Sequence, residues 1–412
     1  MKTNPLFRRD FTLMVIGQIA SLFGNSILRF ALSLYVLDLT GSAAAFGTIL
    51  AVSMIPTILF SPIGGILADR ASRKYIMVIL DFTTSALIIA FSLLIHATGS
   101  LLYIGIIMML LATIQSFYQP AVQSSIPSLV EDGQLMKANG VVTQVNALSN
   151  LLGPILGGFL YAFLGLFPIL AASAVCFFFS AVMEVFLHIP FIRSAAGKNL
   201  LSTVQGDLKD ALRFLTHEQP VMVKLLFILT GLNLFLSSMI MIGLPYIVKI
   251  FLGLGGQYYG FAEGALAAGT VLGGCAVGVF ANRTPFNRSY RFLLAGSLML
   301  IPLGLAAISS RFPLVSYTVV LLSVLCCMFF ASLFNIFAQT FAQQQTPKHL
   351  LGKVMSFVTV ICMCAFPIGQ ALYGFLFDYF HDHIFLVVFF GVITSIFVTL
   401  GARKTFHKLP GE

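Results

Sequence analysis

Charge is what this 412-residue sequence has least of: only 9% of it is Asp, Glu, Lys or Arg. A soluble domain carries roughly 25%, because a hydrated surface requires it. The shortage excludes a cytosolic enzyme and a solvated disordered chain. Tryptophan is absent, and the six cysteines lie in apolar runs without metal-type spacing, so they read as packing residues and not as a disulfide scaffold. No Walker loop, Ser-x-x-Lys, His-Glu-x-x-His or paired acidic prenyl-diphosphate motif occurs. ATP-driven work and membrane-embedded enzyme chemistry therefore lack their signatures, no cofactor is called for, and His381-Asp382-His383 sits in a short loop that gives little reason to expect a metal. What the chain has in quantity is apolar surface, 58% hydrophobic residues with 41 Phe. It must face lipid.

A bilayer-crossing helix needs about 20 mostly apolar residues. Twelve runs qualify: 11–37, 44–68, 75–96, 101–123, 138–164, 167–189, 221–247, 257–281, 291–310, 314–341, 353–377 and 383–401. The link at Gly165–Leu166 is short enough to force antiparallel neighbours. The basic start MKTNPLFRRD precedes an apolar run too long for a signal-peptide core. Lys and Arg in short loops stay on the cytoplasmic side. With both termini inside, 20 of the 23 basic residues fall there. Lys249 and Arg311 fall outside, and Arg29 lies within a span. The net charge of +9 is thus a topology signal, not a nucleic-acid footprint.

The longest polar stretch, 190–220, divides the chain into a six-helix bundle over 1–189 and another over 221–412. Within it Leu201, Val204, Leu208, Leu212 and Leu215 recur at helical spacing opposite charged residues. This predicts an amphipathic helix on the inner membrane face, with an ordinary solvated linker helix as the equal alternative. The halves echo one another: GGILADRASRK carries Gly65, Asp69 and Arg70, and GVFANRTPFNR carries Gly278, Asn282 and Arg283, at a constant offset of 213. Parallel six-helix repeats with a binding site between them are a transporter plan.

On these residues the chain resembles the major facilitator superfamily. The family's loop motif G-x-L-a-D-R-x-G-R-K is matched by Gly65, Leu67, Ala68, Asp69, Arg70, Arg73 and Lys74, with Ser72 where the family has Gly. The run from Ser116 to Leu160 resembles the branch of macrolide-efflux and enterobactin-export proteins. It also contains Gly140, Gly153, Pro154, Gly157 and Gly158, similar to the drug:proton antiporter motif, with Ser149 at one of its glycine positions. Proline removes a backbone hydrogen bond and small residues let another helix approach, so plain helix packing is the competing account of that motif. The resemblance implies an all-α fold of two pseudo-symmetric bundles, export by alternating access, and proton antiport with the proton gradient as energy source. It also implies that Asp69 faces the positive N-terminus of helix 11, near Lys353, and latches the inner gate, whereas Asn282 leaves the counterpart latch without a full charge.

An ionisable side chain at bilayer depth costs at least ~2.5 kcal/mol and calls for a partner, water or a role. Arg29, Asp81, Glu184 and Glu263 are the candidates. Arg29 in helix 1 and Glu263 in helix 8 both lie about 10 Å below the outer surface at 1.5 Å per residue, and the resemblance puts both helices at a central cavity. They are expected to face each other, either as a coupling or substrate site or as an ion pair closing the outer gate; unrelated positions are the third possibility. Gln18, Asn25 and Arg29 share one stripe of helix 1. Gln115, Tyr118, Gln119, Asn146, Asn150, Asn233, Asn335, Gln339 and Gln370 are the other expected lining groups, each also able to act as helix–helix glue. Asp81 reads as an anchor for the basic loop at Lys74, completing the gating group. Glu184 reads as reaching the inner headgroups or a basic residue there.

The reading is a twelve-span secondary transporter of the bacterial cytoplasmic membrane, monomeric, exporting a drug- or macrolide-like amphipathic compound against protons. A siderophore, a lysophospholipid or another endogenous metabolite is the alternative cargo. A membrane enzyme or a non-transporting scaffold is less favoured, since neither clustered catalytic residues nor a sizeable soluble domain is evident.

Overall fold

A computed structural model of the chain describes residues 7–98, 100–131, 134–189, 206, 209–280, 286–308, 311–347 and 350–406. Among them the structure is helical throughout. Twelve helices are long and apolar enough to cross a membrane: α1 Arg9–Thr40, α2 Ala43–Ala68, α3 Arg73–Ile95, α4 Leu101–Leu129, α5 Lys137–Leu164, α6 Leu166–Val185, α7 Pro220–Phe251, α8 Gly256–Phe280, α9 Phe286–Ala306, α10 Pro313–Gln345, α11 Leu351–Tyr379 and α12 His381–Arg403. Several, such as α7 and α10, outrun their apolar windows because helical hydrogen bonding continues past the point where side chains turn polar. Gly165 makes the two-helix joint between α5 and α6. Its φ of 74° is open to glycine at no steric cost, and its N–H closes α5 on the Tyr161 carbonyl.

The chain divides into two compact units, residues 1–39 with 52–197, and residues 40–51 with 198–412. Helix α2 is therefore shared, its first turns grouping with the second unit.

In the first unit α6 is held by α3 and by α1. Ser85 Oγ of α3 donates to the Ala174 carbonyl at 2.8 Å, and Phe82 meets Phe178 edge-on. On the α1 side Gly24 leaves room for Cys176, where a Cβ would lie 3.0 Å away, and its carbonyl accepts from Ser173 Oγ at 3.2 Å. Helix α5 lies as close to α1: a Cβ on Gly153 would collide with Ser26, and one on Gly157 would meet Phe30 at 3.0 Å. Without a hydrophobic drive between helices in lipid, such small-residue contacts supply the packing.

In the second unit Gly269 and Gly273 of α8 sit against the α10 carbonyls of Leu325 and Phe329, too near for a side chain. Gly369 of α11 is likewise pressed on Ser238 and Leu234 of α7. The described part of the mid-chain linker departs from the expected membrane-surface helix. Ala211, Phe214 and Leu215 are buried with Met222, Ala342 and Val354, so this stretch packs within the second unit, while Leu212 of the expected apolar face stays exposed. Lys353 Nζ adds an ion pair to Asp210 Oδ2 at 2.7 Å. Leu201, Val204 and Leu208 lie outside the described residues.

Candidate functional site

The first unit contains a hollow of about 410 Å³. Helix α1 contributes Leu22, Asn25 and Arg29; α2 contributes Thr57 and Ser61; α4 contributes Gln115, Ser116, Gln119, Pro120 and Gln123; α5 contributes Asn146 and Asn150. Apart from Leu22 and Pro120, the described wall is amides and hydroxyls around one guanidinium, with no carboxylate among the described residues that line it. Arg29 makes no hydrogen bond or ion pair among the described residues, and Asn25 Oδ1 is buried without a partner. An arginine stays charged at any physiological pH and presents five N–H donors in a planar fork. The hollow is thus equipped to hold acceptor groups.

Six of the residues expected at a cavity from sequence do line this one: Asn25, Arg29, Gln115, Gln119, Asn146 and Asn150. Thr57, Ser61 and Gln123 were not anticipated, although Thr57/Ser61 and Gln119/Gln123 are polar pairs four apart on apolar helices, a spacing that puts each pair on one face.

Gln18 and Tyr118 are not part of the lining; both are only 1% exposed. They belong to a buried chain of hydrogen bonds behind it. Gln18 Nε2 donates to Tyr118 OH at 2.6 Å, and Tyr118 OH donates to Glu184 Oε1, also at 2.6 Å. Asp81 turns its carboxylate toward Tyr118 and Ser180 and acts electrostatically on Glu184. This corrects two expectations. Asp81 is 1% exposed and faces the bundle interior, not the basic loop at Lys74, because α3 presents it, one turn from Ser85, to α6. Glu184 is fully buried and reaches neither headgroups nor a basic residue, because Gly17 lets α1 close over it: a Cβ there would stand 3.2 Å from Ser180 Oγ and 3.8 Å from Glu184 Cγ. The signal available in sequence was the seven-residue spacing of Gly17 with Gly24 and of Ser173 with Ser180, which marks the two seams that meet.

In the second unit Glu263 accepts from the buried Tyr259 OH at 2.9 Å, one turn earlier on α8. Two expected lining residues serve instead to join α7 and α11, whose close approach brings each within reach of a neighbour. Asn233 Nδ2 donates to the Cys362 carbonyl at 3.1 Å, and the fully buried Gln370 places Nε2 3.2 Å from Met241 Sδ. Asn335 and Gln339 are exposed on α10.

Of the loop motif, Arg73 donates to the Ala68 carbonyl and to Ser128 Oγ, each at 3.2 Å. A cation there satisfies an orphan carbonyl at the end of α2 and complements its dipole. Gly65 has open space around it, Arg70 is exposed and Lys74 half-buried. The Asp69 side chain and Asn282 lie outside the described residues. Among the antiporter-type positions Gly153, Pro154, Gly157 and Gly158 sit within α5, with Gly153 and Gly157 at the α1 seam, while Gly140 has no neighbour within reach of a Cβ.

Twelve apolar helices, two units and a polar hollow describe a transporter architecture, and sequence relationships decide the family. The pattern of the Major Facilitator Superfamily matches residues 14–370. The chain belongs to that superfamily. It is a multi-pass membrane transporter by family, and its structural neighbours are transporters, not enzymes. Macrolide efflux protein A of Streptococcus pyogenes is 24% identical over 360 residues, 86% of each chain. The multidrug efflux pump Tap of Mycobacterium tuberculosis is 23% identical over 379 residues, 89% of this chain and 86% of that one. Among solved structures, a bacterial homologue of the iron transporter ferroportin superposes with a TM-score of 0.76 at 17% identity, covering 97% of this chain and 99% of that one. A bacterial homologue of the lysosomal transporter Spinster gives 0.74 at 15%, covering 98% of both. At these identities the structural likeness speaks for the superfamily fold alone.

Proposed function

We propose that this chain exports an amphipathic small molecule in exchange for protons, by alternating access, across a bacterial cytoplasmic membrane. The observation that carries the substrate side is the hollow in the first unit. Its size suits a small organic ligand, and its amides and hydroxyls fix orientation around Arg29, the one full charge among the described lining residues. Relatives named for macrolide and multidrug efflux support a drug-like cargo. The crowding of Lys and Arg on one side supports N- and C-termini inside. Asp69 is the inner-gate latch in this reading, Arg29 and Glu263 act as the coupling site or the outer gate pair, and one chain suffices for a cycle.

A second reading keeps the export and changes the cargo. Arg29 has no acid partner among the described residues, and no carboxylate lines the hollow. That arrangement favours an acceptor-rich or acidic compound, such as a siderophore or a lysophospholipid, over a cationic drug. Everted vesicles with an imposed pH gradient test both readings, using ethidium, erythromycin, a catecholate siderophore and a lysophospholipid in parallel. Gradient-dependent accumulation of one class, with matching proton release, identifies cargo and energy source together. Accumulation that ignores the gradient removes proton antiport, and Asp69→Asn with undiminished transport removes the latch.

A further inference from the structure

The chain carries a second polar centre in the first unit that the hollow does not include. Asp81 from α3 and Glu184 from α6 face one another's charge across Tyr118 of α4, under Gln18 of α1. Every titratable or charged group acting on this centre can be named. Helix α1 brings only Gln18 and Ser21, α3 brings Asp81, α4 brings Tyr118, and α6 brings Ser180 and Glu184. Among the described residues no lysine, arginine or histidine acts on either carboxylate. Three acceptor oxygens at the centre are buried without a hydrogen-bond partner, Asp81 Oδ2, Glu184 Oε2 and Gln18 Oε1, while Ser180 Oγ, buried beside Asp81, carries a hydrogen of its own.

Two buried carboxylates served by one tyrosine donor, with no cation beside them among the described residues, have the geometry of a pair that shares a proton. Tyr118 supplies one hydrogen bond to the pair and is already engaged by Gln18 on its other side. Even with the Ser180 hydrogen turned to Asp81, Glu184 Oε2 stands open, and a further hydrogen is what this geometry lacks.

We infer that Asp81 and Glu184 together form a proton-holding site, whose occupancy is communicated to the hollow through Tyr118 and Gln18. This inference rests on the proton-exchange reading for its role in transport, but not for the binding itself. Loading forms one carboxyl O–H bond, with the proton delivered by water; unloading returns it to water. The connection to the hollow is short. Ser116 and Gln119, beside Tyr118 on α4, line the hollow, and Gln18 lies two helical turns along α1 from Asn25. A change in charge at the pair alters the hydrogen bond that Tyr118 donates to Glu184, and with it the seating of α1 and α4 in the wall. The centre's carboxylates thus sit on α3 and α6, and the centre does not include Arg29.

The purified full-length protein in lipid is titrated between mildly acidic and mildly alkaline pH and followed by infrared difference spectroscopy. The expected result is a protonated-carboxyl band that grows as pH falls and shifts in heavy water. Asp81→Asn and Glu184→Gln should each remove or displace that band, whereas Glu263→Gln should leave it. The same variants are then reconstituted with ethidium as probe. Glu184→Gln should lose pH-gradient-driven accumulation while retaining gradient-free ethidium exchange, a split that a merely structural role does not produce. A wild-type protein without such a band overturns the site, and this measurement needs no variant to fold. A band that only Glu263→Gln abolishes also overturns it, whereas accumulation driven by a sodium gradient alone removes the antiport reading and not the site. A band lost in the two variants, with no gradient-driven transport by wild type, leaves the proton site standing and removes the antiport reading.

Discussion

Asp378, in the last turn of α11, accepts the backbone N–H of Ala43, the first residue of α2, at 2.7 Å. Its other oxygen takes the Ala44 N–H at 3.0 Å and the Ser42 hydroxyl, while Ser42 Oγ accepts from the Ala45 N–H at 3.1 Å. The first N–H groups of a helix have no partner within it and carry the positive end of its dipole. Two side chains, one local and one from another helix, satisfy three of them. This is why the start of α2 groups with the second unit.

Removing that carboxylate should be felt as lost stability. Asp378→Ala deprives α2 of its distant cap, and cap deletions cost typically about 1 kcal/mol and up to about 2. Asp378→Asn keeps acceptor capacity without the charge and should lose less. Thermal unfolding in detergent, with Ser42→Ala alongside, is the measurement. The contact is refuted as a cap if both Asp378 variants melt with wild type.

The α1–α5 seam predicts a rescue. Gly153 has no room for a Cβ because Ser26 occupies the space. Gly153→Ala should destabilise the first unit by roughly 1–3 kcal/mol, as overpacking does. Ser26→Gly in the same chain should recover much of that loss. If the double variant is no better than the single, the seam is looser than described, and the antiporter-type glycines need another explanation.

How far the sequence carried depended on whether a feature is local. The twelve spans are local: each is a run whose apolarity is visible without knowing its neighbours, and all twelve are present. The Asn25–Arg29 stripe is also local, since helical geometry alone puts residues four apart on one side. What failed was the assignment of polar residues to cavity or core. Gln18 shares the stripe, yet it bonds to a tyrosine 100 positions away. Glu184 meets its donor across 66 positions, beneath a helix α1 that Gly17 lets lie close. Asn233 and Gln370 took the other role left open for them in sequence, helix–helix glue between α7 and α11. A polar residue in an apolar helix announces that it needs company; only the packing says whose.

Arg29 is the most exposed of these dependencies to direct test. As the single charge in the hollow's wall, it should matter to cargo and little to folding, because no partner is left orphaned by its loss. Arg29→Gln should leave melting within about 0.5 kcal/mol of wild type, the range of substitutions that break no buried contact. Transport should fall by tenfold or more, which is about 1.4 kcal/mol of binding, and Arg29→Lys should recover only part, since a point charge does not replace a planar fork. Initial rates in vesicles beside melting curves separate the two. Equal losses of stability and transport would make Arg29 a packing residue.

The Asp210–Lys353 pair gives a prediction in pH and salt. Its hydrogen bond and the charge of Lys353 hold the Asp210 carboxyl below the ordinary aspartate value, with Arg213 and Lys209 adding to the effect. A carboxyl lowered on folding contributes attachment that is complete above its unfolded value and is lost as pH falls through the folded one. Docking of residues 209–218 should therefore hold through neutral pH and weaken only in acid. The pair is exposed, so salt screens it, and the buried Phe214 and Leu215 should hold the segment even when the pair is broken. Limited proteolysis at Lys209 and Arg213 measures this directly. Cleavage should quicken modestly in acid or high salt, and markedly in Phe214→Ala at any pH. A Phe214→Ala protein no more sensitive than wild type would mean that the ion pair, not apolar burial, fastens the linker.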